Sequence, residues 1–122
     1  MASQAETINF IKSNFKCDDL GDNVLKVLVS WNDGRSQLVF ATVGTEIMQV
    51  ASPFAQLSDI SAEQALNANQ SAFGVGKVAD WFAIQHVVPM ADLDASEISI
   101  AFNSIGEIAD ELEKKLGLGD KL

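Results

Sequence analysis

Two runs of β-branched and aromatic residues, at 24–31 and 36–43, flank the tetrapeptide Asn32-Asp33-Gly34-Arg35, and this arrangement constrains the fold more than any other feature of the chain. Asp-Gly tolerates positive φ at both central positions, which a type I′ turn requires, so the segment predicts a tight hairpin. A third strand at 46–52 follows Gly44. Pro53 is expected to stop it, because proline supplies no N–H to a ladder.

Side-chain parity along these strands says what the sheet must contact. Leu25, Val27, Val29 and Trp31 alternate onto one face, while Val24 and Leu28 look the other way. Trp81 and Phe82 are neighbours in a later run and must also point oppositely. One face is therefore expected to be covered by helices. The second keeps enough apolar area to meet either a helix of the same chain or a second chain.

Three capping boxes place the helices. Ser3 with Glu6 opens a first helix over Gln4–Asn14, in which Ile8, Ile11 and Phe15 recur at helical spacing. Ser61 with Gln64 opens an alanine-rich second helix through Ala65, Leu66, Ala68 and Asn69, whose small side chains permit close approach. Asp94 with Glu97 opens the third. Ile98, Ala101, Phe102, Ile105, Ile108, Ala109, Leu112 and Leu116 trace one face of it, and Gly117 suits its end. Glu107, Asp110, Glu111, Glu113, Lys114 and Lys115 are assigned to the wet face. Residues 18–22 read as an acidic bend. Residues 71–78 and 81–88 read as a second hairpin that turns at Val78-Ala79-Asp80 and ends at Pro89. The expected order is α-β-β-β-α-β-β-α, an α/β (α+β) fold in one domain of 122 residues.

Seventeen acidic residues against eight basic ones give a net charge of −9, which repels phosphate backbones and anionic headgroups. Nucleic acid is excluded as an expected partner; the charge serves solubility or steers a basic partner. The N-terminus lacks the basic and apolar regions of a signal peptide, and no window reaches a membrane span, so a cytoplasmic protein is expected. Cys17 is the only cysteine, next to Asp18 and Asp19, and reads as a small apolar filler.

Residues with catalytic potential are sparse. Gly74-Val75-Gly76-Lys77-Val78-Ala79 spells G-x-G-x-x-A, but it follows a helix and enters a strand, the inverse of a dinucleotide loop. Its glycines instead relieve crowding or permit a bulge. His86 is the sole histidine and shares a face with Phe82, Ile84 and Val88, which suits a packed, hydrogen-bonded side chain. No G-x-S-x-G elbow and no histidine pair is present. Asp110, Glu111 and Glu113 lie beside Lys114 and Lys115, as on a solvated helix face, and Asp92, Asp94 and Glu97 suit a helix start. Neither cluster resembles a calcium loop. No cofactor is expected.

The blocks Trp31-Asn32-Asp33-Gly34-Arg35-Ser36-Gln37-Leu38-Val39-Phe40, Ser52-Pro53-Phe54-Ala55, Ala65-Leu66-Asn67-Ala68-Asn69 and Ile108-Ala109-Asp110-Glu111-Leu112-Glu113 resemble successive blocks of YbjN-like proteins. That family is similar in fold to type III secretion chaperones. The resemblance implies an antiparallel five-stranded sheet with three helices, often dimeric, in a chaperone-like or regulatory binding module.

The function expected is thus a non-catalytic protein-binding module that holds a segment of a partner polypeptide. A homodimer is expected as well, with Ala65, Leu66, Ala68, Phe73, Val75 and Trp81 on the surface it shares with a second copy or a partner. The alternative is a small-ligand sensor or enzyme with a pocket between the sheet and the last helix, lined by His86 or Trp81. A third reading confines the apolar surplus to homodimerisation.

Overall fold

The computed structural model describes residues 3–31, 33–91 and 93–118; Asn32, Asp92 and the first two residues of the N-terminus, each part of a reading above, lie outside them. Along the chain run α1 (Gln4–Asn14), β1 (Lys16–Gly21), β2 (Val24–Ser30), β3 (Ser36–Val43), β4 (Ile47–Gln56), α2 (Ala62–Ala68), β5 (Gly74–Val78), β6 (Trp81–Pro89) and α3 (Ala95–Lys115). The strands form one antiparallel sheet in the order β1-β2-β3-β4-β6-β5. The described sheet therefore has six strands rather than five, and the order is α-β-β-β-β-α-β-β-α.

The additional strand is β1, where an acidic bend was expected. Its sequence, Lys16-Cys17-Asp18-Asp19-Leu20-Gly21, has no β-branched residue, so propensity gives no signal. It forms because it lies at the sheet edge, pairing from Lys16↔Leu28 to Asp19↔Leu25, where one flank stays in water and charge is tolerated. The turn into β2 places Asp22 and Asn23 at φ 55° and 63°, the two positive values of a type I′ turn. That geometry was expected at Asp33-Gly34. There, only Gly34 takes positive φ, at 86°. The Trp31 N–H donates to the Arg35 carbonyl at 3.0 Å and the Gly34 N–H to the Trp31 carbonyl at 3.1 Å. Asp33 contributes through its carboxylate, which accepts from the Arg35 N–H at 3.0 Å.

Pro53 does not end β4. The strand continues to Gln56 with a bulge between Pro53 and Ala55, paired to β6 on one side. On the other side the β3–β4 ladder stops at Phe40↔Ala51, and side chains replace it. Ser52 Oγ donates to the Leu38 carbonyl at 2.6 Å, and Gln37 Nε2 donates to the Pro53 carbonyl at 2.7 Å. Two side-chain bonds thus do the work that proline's missing N–H forbids. Strand β5 starts at Gly74 rather than at residue 71, because Asn69 closes the preceding loop. Its Oδ1 accepts from the Ser71 N–H and hydroxyl, and its amide donates to the Phe73 carbonyl.

The core lies between one face of the sheet and the helices. Leu25, Val27, Val29, Val39, Ala41, Val43, Met48, Val50, Ile84 and Val88 meet Ile11 of α1 and Ile98, Phe102, Ile105, Ala109 and Leu112 of α3. Phe15 stands edge-on to Phe102 at 5.0 Å, joining α1 to α3. α1 occupies the residues expected and starts on Ser3, whose side chain accepts from the Glu6 N–H. Only α2 has the full reciprocal capping box, between Ser61 and Gln64. α3 ends in a Schellman turn: Gly117, at φ 72°, donates to the Lys114 carbonyl, and the Leu118 N–H reaches Glu113.

α3 buries a wider arc than its periodicity predicts. Asp110 and Glu113, assigned above to the wet face, are buried. For Asp110 the reason is that the β2–β3 loop covers this part of α3. Trp31 from that loop lies so close that a Cβ on Gly106 would stand 3.3 Å from its ring. Arg35 grips Asp110 with Nε at 3.0 and 3.1 Å and a second guanidinium nitrogen at 2.5 Å.

Candidate binding face

The sheet face turned away from the helices is built in cross-strand rows. One row runs through all six strands as Asp18, Lys26, Phe40, Ala51, Gln85 and Gly74. Beside it lies Val24, Thr42, Gln49 and Val87, and on its other side Lys16, Leu28 and Leu38 on β1 to β3, with Pro53, Ala83 and Gly76 beyond. On this face Val24, Leu28, Leu38, Phe40 and Ala51 are half-buried, and Val87 is 49% exposed. Two helix-facing residues of the same strands, Leu25 and Val39, are fully buried. The contrast is what two-sided apolar strands produce when helices cover one side only.

The centre of this face carries no charge. Lys26 sits near its β1 border, 3.8 Å from Asp18, and Lys16 lies on β1 itself. Val24, Phe40, Thr42, Gln49, Ala51, Val78, Gln85 and Val87, with Val50 and His86, line a depression of about 330 Å³. Val24 on β2 and Val78 on β5 are four strand steps apart, about 19 Å in a flat sheet. Both border the same hollow. The two glycines of β5 belong to the same surface. A Cβ at Gly76 would collide with the Gln85 side-chain amide, which lies across the strand. The G-x-G-x-x-A spelling thus sits on an edge strand and runs into a hairpin turn, where Ala79 takes φ 52°.

The six residues expected to share a contact surface are separated by the fold. Ala65 and Ala68 face inward, at 0% and 8% exposure, while Leu66 projects from α2 at 61%. Phe73 and Val75 are half-buried by the edge of the helix-covered side, where Val75 pairs with Ile84. Trp81 starts β6 opposite Val78 and borders a depression with Gln56, Leu57, Ser58 and Asp80. His86, expected to be packed, is exposed; its row partner Val50 is buried, and its ring rests on Phe73 at 4.8 Å. Between the sheet and α3, Met48, Phe54, Phe102 and Ile105 are fully buried.

Other charged groups have structural partners. Lys12 of α1 reaches Asp19 of β1 at 2.7 Å, and this hydrogen bond, with that from the Gly21 N–H, holds the Asp19 carboxyl below its usual range. The Glu97 N–H and the Ser96 hydroxyl do the same for Asp94. Burial pushes the Cys17 thiol up, against the opposing pull of Lys12, and its side chain packs on the core as an apolar filler would. Lys115 Nζ caps the end of α2 at the Ala68 carbonyl, 2.9 Å away. Among the described residues no three His, Cys, Asp or Glu side chains converge as metal ligands, and no helix is long and apolar enough to cross a membrane.

No protein-family model matches this chain, and no curated protein shows significant similarity to it.

Proposed function

We propose that the chain is a non-catalytic binding module that holds a segment of a partner polypeptide on the open face of its sheet, in a chaperone-like or regulatory role. The observation that carries this reading is the uncharged, half-buried band from Val24 across Phe40 and Ala51 to Val87, left uncovered by the helices. Apolar area of this kind, framed by polar surface, is typical of surfaces that meet another molecule. The likeness of short sequence blocks to YbjN-like proteins supports the same reading.

The test is selection of displayed 12-residue peptides on the intact chain, with Phe40→Asp and Val87→Asp as counter-selection baits whose folding is checked by circular dichroism. Peptides enriched on the wild type and lost on both folded variants are the expected result. Enrichment indifferent to both substitutions would overturn the reading. So would turnover of a small metabolite that His86→Ala abolishes while the fold persists.

Self-association is a second proposal, favoured by Leu66, which α2 leaves 61% exposed on the side opposite its buried alanines. It uses a different surface and is compatible with the first.

A further inference from the structure

Gly76 lies on an edge strand and has no backbone need to be glycine, since its φ is outside the left-handed region. What it supplies is room. A side chain there would collide with the amide of Gln85, whose direct partner on β5 is Gly74 and whose neighbour on β4 is Ala51. The Gln85 side chain thus stands between small residues and lies over the backbone of β5, its amide seated at Gly76. Gln4, Gln37 and Gln64 spend their side-chain amides on the chain's own backbone. Among the described residues Gln85 has no such partner, and neither have Gln49 and Thr42, which line the same hollow. The hollow therefore presents neutral donors and acceptors among valines, with no aspartate, glutamate, lysine or arginine in its lining.

We propose that the Gln85 amide, positioned by Gly76, reads the segment held on this face, and that the side chain it reads is a carboxamide, of asparagine or glutamine, set between aliphatic residues. The inference rests on the binding role assigned above to the same face. A planar group that both donates and accepts is matched in full by another of its kind, because two amides side by side exchange two hydrogen bonds. A carboxylate only accepts and an ammonium only donates, so either leaves half of the Gln85 amide unmet. Each would also bring a charge onto a lining that holds no acid, lysine or arginine to pair with it. An aliphatic side chain would cover the amide and satisfy neither half of it. Val24, Val78 and Val87 around the hollow suit the aliphatic neighbours. The G-x-G spelling has a role in this reading: Gly74 and Gly76 keep β5 free of side chains beneath the amide.

Fluorescence anisotropy with four labelled peptides of about 11 residues tests the proposal, in about 0.5 M salt so that the net charge of −9 is screened. The peptides share an uncharged frame of valine, threonine and serine and differ at the central residue, which is glutamine, norleucine, glutamate or lysine. The glutamine peptide should bind the full-length protein about tenfold more tightly than each of the others, the worth of a matched polar group against an unmatched one. Gln85→Leu should erase its advantage over the norleucine peptide. Gly76→Ala keeps the chemistry of the amide and takes away its seat, so it should cut that advantage severalfold while the circular dichroism spectrum and melting temperature stay nearly unchanged. Equal binding of the glutamine and norleucine peptides, abolished by Phe40→Asp, would overturn the amide assignment and leave the binding role standing. So would a glutamine preference that survives Gln85→Leu, or tighter binding of the glutamate or lysine peptide. Absence of any binding that Phe40→Asp removes would end both. Self-association that Phe40→Asp abolishes would assign the face to a second copy and refute the proposal.

Discussion

Two residues of positive φ, one glycine and one alanine, show how much of this fold rests on single backbone positions. Gly34 takes φ 86° with no atom near a would-be Cβ, while Ala79 takes φ 52° although it has one. The same one-carbon change should act in opposite directions at the two sites. Gly34→Ala should cost about 1 kcal/mol, and Ala79→Gly should stabilise by about 0.5 to 1 kcal/mol. Urea denaturation of both variants checks the pair, and shifts of the same sign would contradict the account. The importance of Gly34 was legible in the Asp-Gly dipeptide. The strain at Ala79 was not, because alanine carries no sequence mark of a left-handed turn, and Asp22-Asn23 went unread because the strand before it was missed.

At the level of elements, legibility followed local signals. α1 and α3 were plain from caps and periodicity, since their apolar spacing and their N-cap hydrogen bonds are encoded within a few residues. β1 was hidden because its pairing with β2 is a tertiary fact, and Pro53 misled because Gln37 and Ser52, which compensate for it, lie 16 residues away and beside it. The burial of Asp110 depended on a loop folding over α3. Phe102 gives the measure of that helix: it is fully buried and edge-on to Phe15. Phe102→Ala should destabilise the protein by about 3 to 5 kcal/mol, through lost apolar transfer and the cavity left behind. A change in melting temperature of only a degree or two would place α3 at the periphery.

On the scale of the whole molecule, the sequence announced surplus apolar surface but not its location. Ala65 and Ala68 looked like contact residues because they are small; they are small because α2 packs closely on its own chain. Leu66 remains. If α2 joins two copies, sedimentation should find a species heavier than the 13.1 kDa chain, and Leu66→Arg should return it to monomer with its melting temperature nearly unchanged. A wild-type protein that sediments as a monomer at tens of micromolar would end that proposal. The face proposed to hold a peptide would be unaffected, because it lies on the other side of the sheet from the core that α2 joins.

The substitution of side chains for backbone between β3 and β4 has a mechanical meaning. β1-β2-β3 and β4-β6-β5 are two three-stranded leaves, bound along the spine by the four pairs from Phe40↔Ala51 to Val43↔Met48. Past Phe40 the binding is two stitches, Gln37 and Ser52. Such a book has a fixed width where Met48 and Val43 meet and a yielding one toward Leu38 and Pro53. A guest laid in the fold, if the face holds one as proposed, would find more give toward Leu38 and Pro53 than at the other end.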